Sequence, residues 1–136
     1  MRVGVIGYSG QRFDLNAGRA FVRKAFDLLP RHETIEVVSG LTYLGIPAIA
    51  YEEAVRRGWK TAGVACSKAI EFECFPVDRS IIVGREWGDE SQTFLNIVDV
   101  VIRVGGGKQA HEEARQAKLL GKPVFEFELP ALLMAG

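Results

Sequence analysis

Six short segments rich in β-branched and other apolar residues, 2–7, 34–39, 60–64, 79–83, 100–104 and 124–127, alternate along this chain with segments of helical periodicity. A run as uniformly apolar as Val100-Val101-Ile102, carried on through Arg103 to Val104, reads as a strand buried on both faces. Burial on both faces needs helices above and below the sheet. Strands that alternate with helices at this spacing predict a mainly parallel α/β sheet of about five to six strands, joined by right-handed crossovers. At 136 residues, 48% of them hydrophobic, the chain has the size and the apolar content of one domain, 1–136, with a single core.

The intervening helices carry their own punctuation. Phe21, Ala25 and Leu28 or Leu29 recur at helical spacing over 17–29, with Asn16 as the expected N-cap and Pro30 as the stop. A second helix opens around Pro47 and runs to Arg57, closed by Gly58. A third is expected over 89–98, with Asp89 as N-cap and Gln92 as its capping-box partner, and a fourth over 108–120, before the turn Gly121-Lys122-Pro123. Between 65 and 78 the pattern supports only one helical turn, at 67–72, because Pro76 breaks the chain's continuation.

Seventeen Lys and Arg balance seventeen Asp and Glu, so no overall field draws the chain to nucleic acid or to an anionic membrane. No apolar run reaches the roughly 18 residues that span a bilayer, and the opening Met1-Arg2-Val3-Gly4 leads directly into a strand pattern without a signal-peptide h-region. A cytoplasmic location is the expectation. Cys66 and Cys74, with His32 and His111, do not have the spacing of a structural zinc site, and both thiols are expected to be free and buried. No cofactor is expected to be required.

Ligands of parallel α/β sheets bind beyond the carboxyl ends of the strands, which directs attention to the turns at those ends. After the fifth strand comes Gly105-Gly106-Gly107-Lys108. Glycines there let a ligand approach the backbone, the N–H groups at a helix start are free, and the helix dipole favours negative charge. The alternative is a tight turn that needs glycine for its geometry, but three glycines in a row exceed what a turn requires. The sequence matches neither a P-loop nor the G-x-G-x-x-G dinucleotide pattern. In the next helix, Ala110, Ala114 and Ala117 define an inward stripe beside which Glu113 lies, whereas Glu112 points away. A carboxylate near a buried face, about a turn from an anion-binding helix start, suits a ribose hydroxyl or general acid–base work.

Three further turns share that edge. The loop 39–45 offers Ser39 and Thr42 hydroxyls and the backbone of Gly40 and Gly45; the first loop offers Ser9 for hydrogen bonding and Tyr8 for stacking. The loop 84–91 offers Arg85 and Trp87, an arginine and an indole suited to a phosphate and a base, although Trp87 fits a core or subunit contact equally well. His111 lacks a serine in a nucleophile-elbow context and reads as a solvated helix position.

Taken together, 38–48 through 58–64 and 98–113 through 121–124 resemble the Gly-rich loop, the glycine-rich strand-to-helix turn and the G-K-P-V turn of the SLOG superfamily, which includes the Lonely Guy phosphoribohydrolases and molybdenum-cofactor carriers. The resemblance implies a Rossmann-like three-layer αβα fold and a homo-oligomer. Gly106 and Gly107 match the paired glycines of the family's P-G-G-x-G-T-x-x-E motif, and Glu113 matches the glutamate that serves catalysis in the hydrolases. Gly105 replaces the proline, Gln109-Ala110 stands where the family has Gly-Thr, and Glu90 occupies the place of the hydrolases' arginine. The expected function is binding of a nucleotide or related phosphorylated small molecule. The alternatives are an N-glycosidic hydrolase or transferase on nucleoside monophosphates that uses Glu113, and a subunit whose main task is assembly.

Overall fold

The computed structural model describes residues 1–133. Its strands are β1 (Arg2–Gly7), β2 (Glu36–Ser39), β3 (Lys60–Ala65), β4 (Arg79–Ile82), β5 (Val100–Val104) and β6 (Val124–Phe127). The helices are α1 (Leu15–Asp27), α2 (Gly45–Arg56), α3 (Ser91–Ile97) and α4 (Lys108–Leu119), with a 3-10 turn at Ser67–Glu71 where a single helical turn was expected. All strand pairs are parallel, in the order β4-β3-β2-β1-β5-β6. The expected α/β class and six-stranded parallel sheet are therefore what the chain adopts.

Burial explains the two helical layers. Val3, Val5 and Val37 on one sheet face pack with Val22, Phe26, Ile46 and Tyr51 of α1 and α2, while Ile6, Val38 and Val101 on the other pack with Phe94 and Leu95 of α3 and with Ala110, Ala114 and Ala117 of α4. Each fully buried valine or isoleucine contributes about 1.5–3 kcal/mol, so the central strands β1 and β5 hold the structure together while the outer strand β4 is largely exposed. Among the described residues no helix is long and apolar enough to cross a membrane.

Two helix starts differ from the sequence reading, for local reasons. Asp14 rather than Asn16 caps α1, its Oδ1 accepting from the Ala17 N–H at 3.1 Å, and the helix begins two residues earlier than expected. Asp89 does not cap α3: its Oδ2 accepts from the N–H groups of Arg85 and Glu86, both at 3.0 Å, because the chain folds back at Gly84. Gln92 bonds to Asn96 instead of completing a capping box, and α3 opens at Ser91 without a side-chain cap. Cys66 is buried as expected; Cys74 is only half-buried, and both thiols are free.

Chain order places β1 at the centre, with β2 on one side and β5 on the other. The loops leaving β1 and β5 diverge there, which opens a crevice at the carboxyl ends of the strands. Gly45 brings the loop before α2 onto the first loop: it has φ +56°, the Tyr8 carbonyl occupies the place a Cβ would take, and the Ile46 N–H donates to that carbonyl at 2.8 Å. Gly45→Ala should accordingly cost about 2 kcal/mol or more through strain and collision, measured by urea denaturation, whereas Gly58→Ala, with φ +76° but open space, should cost less.

Candidate functional site

The crevice is a cleft of about 330 Å³ over the carboxyl ends of β1, β2 and β3 and beside the N-terminus of α4. From the first loop it takes Tyr8 and Ser9; from the second Gly40 and Thr42, with Ser39 at its base; from α4 Gly107, Lys108, Gln109 and Glu113; from the α3 side Trp87 and Glu90. Most residues singled out in the sequence thus converge on one place. Gly45, Gly105, Gly106 and Arg85 do not line it.

The three glycines divide their roles. Gly105 and Gly106 have φ of +58° and +103°, a pair of left-handed residues that reverses the chain between β5 and α4. A Cβ on Gly105 would lie 2.6 Å from Tyr8 Cε2 and 2.7 Å from the Leu129 carbonyl oxygen, so its place is set by packing. Gly107 is exposed, has ordinary φ and meets nothing within 4 Å. It occupies the N-cap position of α4 without a side-chain cap. From Gly106 to Ala110 no main-chain N–H meets an acceptor among the described residues, and Ser9 to Gln11 likewise donate to nothing. A helix start supplies such free donors. Here they are left uncapped at the mouth of a cleft.

The Ser39 hydroxyl is less free than its position suggests. Ser39 is buried, and its Oγ donates to the Val5 carbonyl at 2.6 Å, tying β2 to β1 instead of facing a ligand. Thr42 is half-buried, and its main chain pairs in an isolated antiparallel bridge with Cys74. The Gly40 carbonyl accepts from the Tyr51 hydroxyl at 2.7 Å, so the base of the second loop is fixed from beneath by a residue the sequence reading passed over. Arg85 is exposed, and the contact it makes there is through its backbone N–H. Trp87 is 51% exposed and packs at 6.0 Å from Phe72, leaving part of the indole over the cleft. His111 is exposed on α4 and lies 3.5 Å from Arg103.

Two acids face the cleft from below. Glu113 is 7% exposed and its Oε2 accepts from Ser91 Oγ at 2.8 Å; Glu90 is 8% exposed and accepts from the Gly88 N–H at 3.1 Å and from Gln109 Nε2 at 3.3 Å. Burial pushes the Glu113 carboxyl above the ordinary carboxylate range, the charge of Glu90 adds to this, and hydrogen bonds from Ser91 and Gln109 only partly offset it. Helical period from the alanine stripe was enough to find Glu113. Glu90 was seen only as a replacement for an arginine, and nothing in its local pattern announced its burial.

The fold is that of a Rossmann-like αβα protein with a cleft at the carboxyl ends of its strands. No family model matches the chain, and no curated protein matches it. Solved structures do share its fold. The molybdenum cofactor carrier protein of Chlamydomonas reinhardtii is 22% identical over 92% of this chain and 74% of its own, with a TM-score of 0.75. The molybdenum cofactor binding protein of the phototrophic bacterium Rippkaea orientalis is 23% identical over 92% and 74%, with a TM-score of 0.73. TM1055, a structural genomics target, is 24% identical over 90% and 71%, with a TM-score of 0.64. At these identities the likeness establishes the fold, and it agrees with the fold that the resemblance in the sequence implied. The expectation that no cofactor is required is overturned by the same neighbours, since proteins built on this fold include carriers of one.

Glu113 gives the site a pH signature. With its pKa raised in the folded state, its contribution to stability is complete below the ordinary value of 4.5 and is lost as pH rises through the elevated one. Glu113→Gln should therefore match the native protein in acid and become progressively the more stable of the two toward neutrality, read from thermal melts between about pH 4 and pH 8.

Proposed function

We propose that this chain, as one domain spanning 1–136, is a binding protein or carrier for a nucleotide or related phosphorylated heterocycle, with a cargo of the molybdenum-cofactor type within that class. The phosphate lies against the N-terminus of α4 at Gly107 and Lys108, near the free N–H groups of Ser9 to Gln11, and the ring lies toward Tyr8 and Trp87. The observation that carries this reading is the run of main-chain N–H groups from Gly107 to Ala110 at the edge of the cleft, which meet no acceptor among the described residues. Such groups, backed by a helix dipole, favour an anion without any excess of basic side chains. That suits a chain of zero net charge.

The residues present fit such a cargo. A cleft of about 330 Å³ lies at the lower end of the range for small-molecule sites, and Trp87 and Tyr8 give it aromatic surface. Glu113, held toward its neutral form, can donate a hydrogen bond to a ring nitrogen or carbonyl where an ionised acid would repel the phosphate. The partner is a small phosphorylated molecule rather than nucleic acid or a membrane, and we infer a cytoplasmic homo-oligomer, to be checked by light scattering.

Native mass spectrometry of freshly purified protein should show a retained phosphorylated molecule, and AMP, GMP or molybdenum cofactor should raise the melting temperature; failure of every one of these defeats the reading. Gly107→Asp separates binding from stability. Its carboxylate would cap α4, adding about a few tenths of a kcal/mol, while filling the anion position, so the melting temperature should hold or rise as ligand binding is lost.

Glu113, buried on the cleft wall with its pKa raised, suits a general acid and favours one further reading, an N-glycosidic hydrolase acting on nucleoside monophosphates. If this reading holds, incubation with AMP releases ribose 5-phosphate, and Glu113→Ala abolishes the release. The carrier reading requires that no turnover occur.

A further inference from the structure

Arg103 is 1% exposed, the largest side chain among those fully buried, and it stands on the central strand β5. By strand alternation it shares a face with Val101, on the side where α4 presents Ala110, Ala114 and Ala117. A guanidinium in that layer is costly, and an apolar side chain of similar volume would serve the core as well or better. Its partners account for its presence. Nε donates to Glu126 Oε2 at 2.7 Å, across the β5–β6 register, and Nη2 donates to Glu128 Oε1 at 2.5 Å. Nη1 donates to the Gly105 carbonyl at 2.8 Å. Glu126 is in turn paired with Lys118 of α4.

We propose that Arg103 is a positioning residue for the anion site, acting through the Gly105 carbonyl; the inference rests on the binding reading given above. Two carboxylates hold the planar fork in one orientation, and its remaining arm draws the Gly105 carbonyl inward. A trans peptide is planar, so an inward Gly105 carbonyl sends the Gly106 N–H to the opposite side. That N–H opens the unpaired run that ends at Ala110. The two glycines permit the reversal, and Arg103 selects it from the many conformations open to consecutive glycines.

The test compares Arg103→Met and Arg103→Lys with the native chain, by ¹⁵N amide order parameters without ligand and by titration with inorganic phosphate. Met leaves no buried carboxylate unpaired, because Glu126 keeps Lys118 and the Glu128 side chain is 78% exposed. Order parameters over 105–110 should fall from the rigid range, about 0.85, toward about 0.6 in Arg103→Met, with those of 100–104 unchanged. Phosphate affinity should fall by roughly tenfold or more. Arg103→Lys should recover part of both, since one ammonium cannot hold Glu126 and the Gly105 carbonyl in the same fixed geometry; it also decides the matter should the Met variant fail to fold. Unchanged order over 105–110 in the variants overturns the proposal. Loss of that order in a protein whose native form shows no response to phosphate upholds the positioning role and overturns the anion site instead.

Discussion

A main-chain N–H that finds no acceptor in its own fold must meet water or a ligand, and among the described residues a consecutive stretch from Gly106 to Ala110 is left in that condition. Much of the surrounding structure serves to keep it so. The parallel sheet divides at β1, carrying the β1 and β5 loops apart. The Gly105–Gly106 reversal turns the chain into α4, and the cap position of the helix holds a glycine with no side chain to offer. A serine, asparagine or aspartate at that position would make a better helix and, on the binding reading proposed above, a worse site.

The same opposition appears in the electrostatics. A free-standing anion site is usually read from arginines and lysines, but this cleft has Lys108 as its one lining cation among the described residues and two buried acids beneath it. The field that favours an anion comes from peptide dipoles, which are fixed in place and need no counter-charge nearby. Such a field weakens quickly beyond the first turn. An ionised Glu113, one or two turns along α4, would work against it, and burial lessens that conflict by raising the pKa of the carboxyl.

The range of each interaction decides how legible it was in the sequence. The β5 run, the glycine turn and the place of Glu113 against the alanine stripe are set by neighbours within a few residues, so pattern alone finds them. The choice of Asp14 over Asn16 as a cap, and the diversion of Asp89 to the amides of Arg85 and Glu86, are contests between equally suitable local residues that the tertiary course of the chain decides. Arg103 and Tyr51 lie further out of reach. The arginine looks like an interruption of an apolar strand until β6 is placed beside it in register, and the tyrosine looks like ordinary helix until its hydroxyl is seen to meet the Gly40 and Ala62 carbonyls.

Glu90 bears most directly on the choice between holding a ligand and cleaving one. Where the resembling hydrolases place an arginine, this chain places a second acid, buried and hydrogen-bonded to Gly88 and Gln109. An arginine there would hold a phosphate and leave Glu113 free to ionise. A glutamate instead adds negative charge beside Glu113 and favours its protonated form. A Glu113 with its pKa raised and its Oε2 accepting from Ser91 suits a general acid as well as it suits hydrogen bonding to a ring, so this residue does not separate the two readings. It is Glu90, standing in place of a cation that would hold a phosphate, that sets the proposed carrier reading apart from the hydrolase reading.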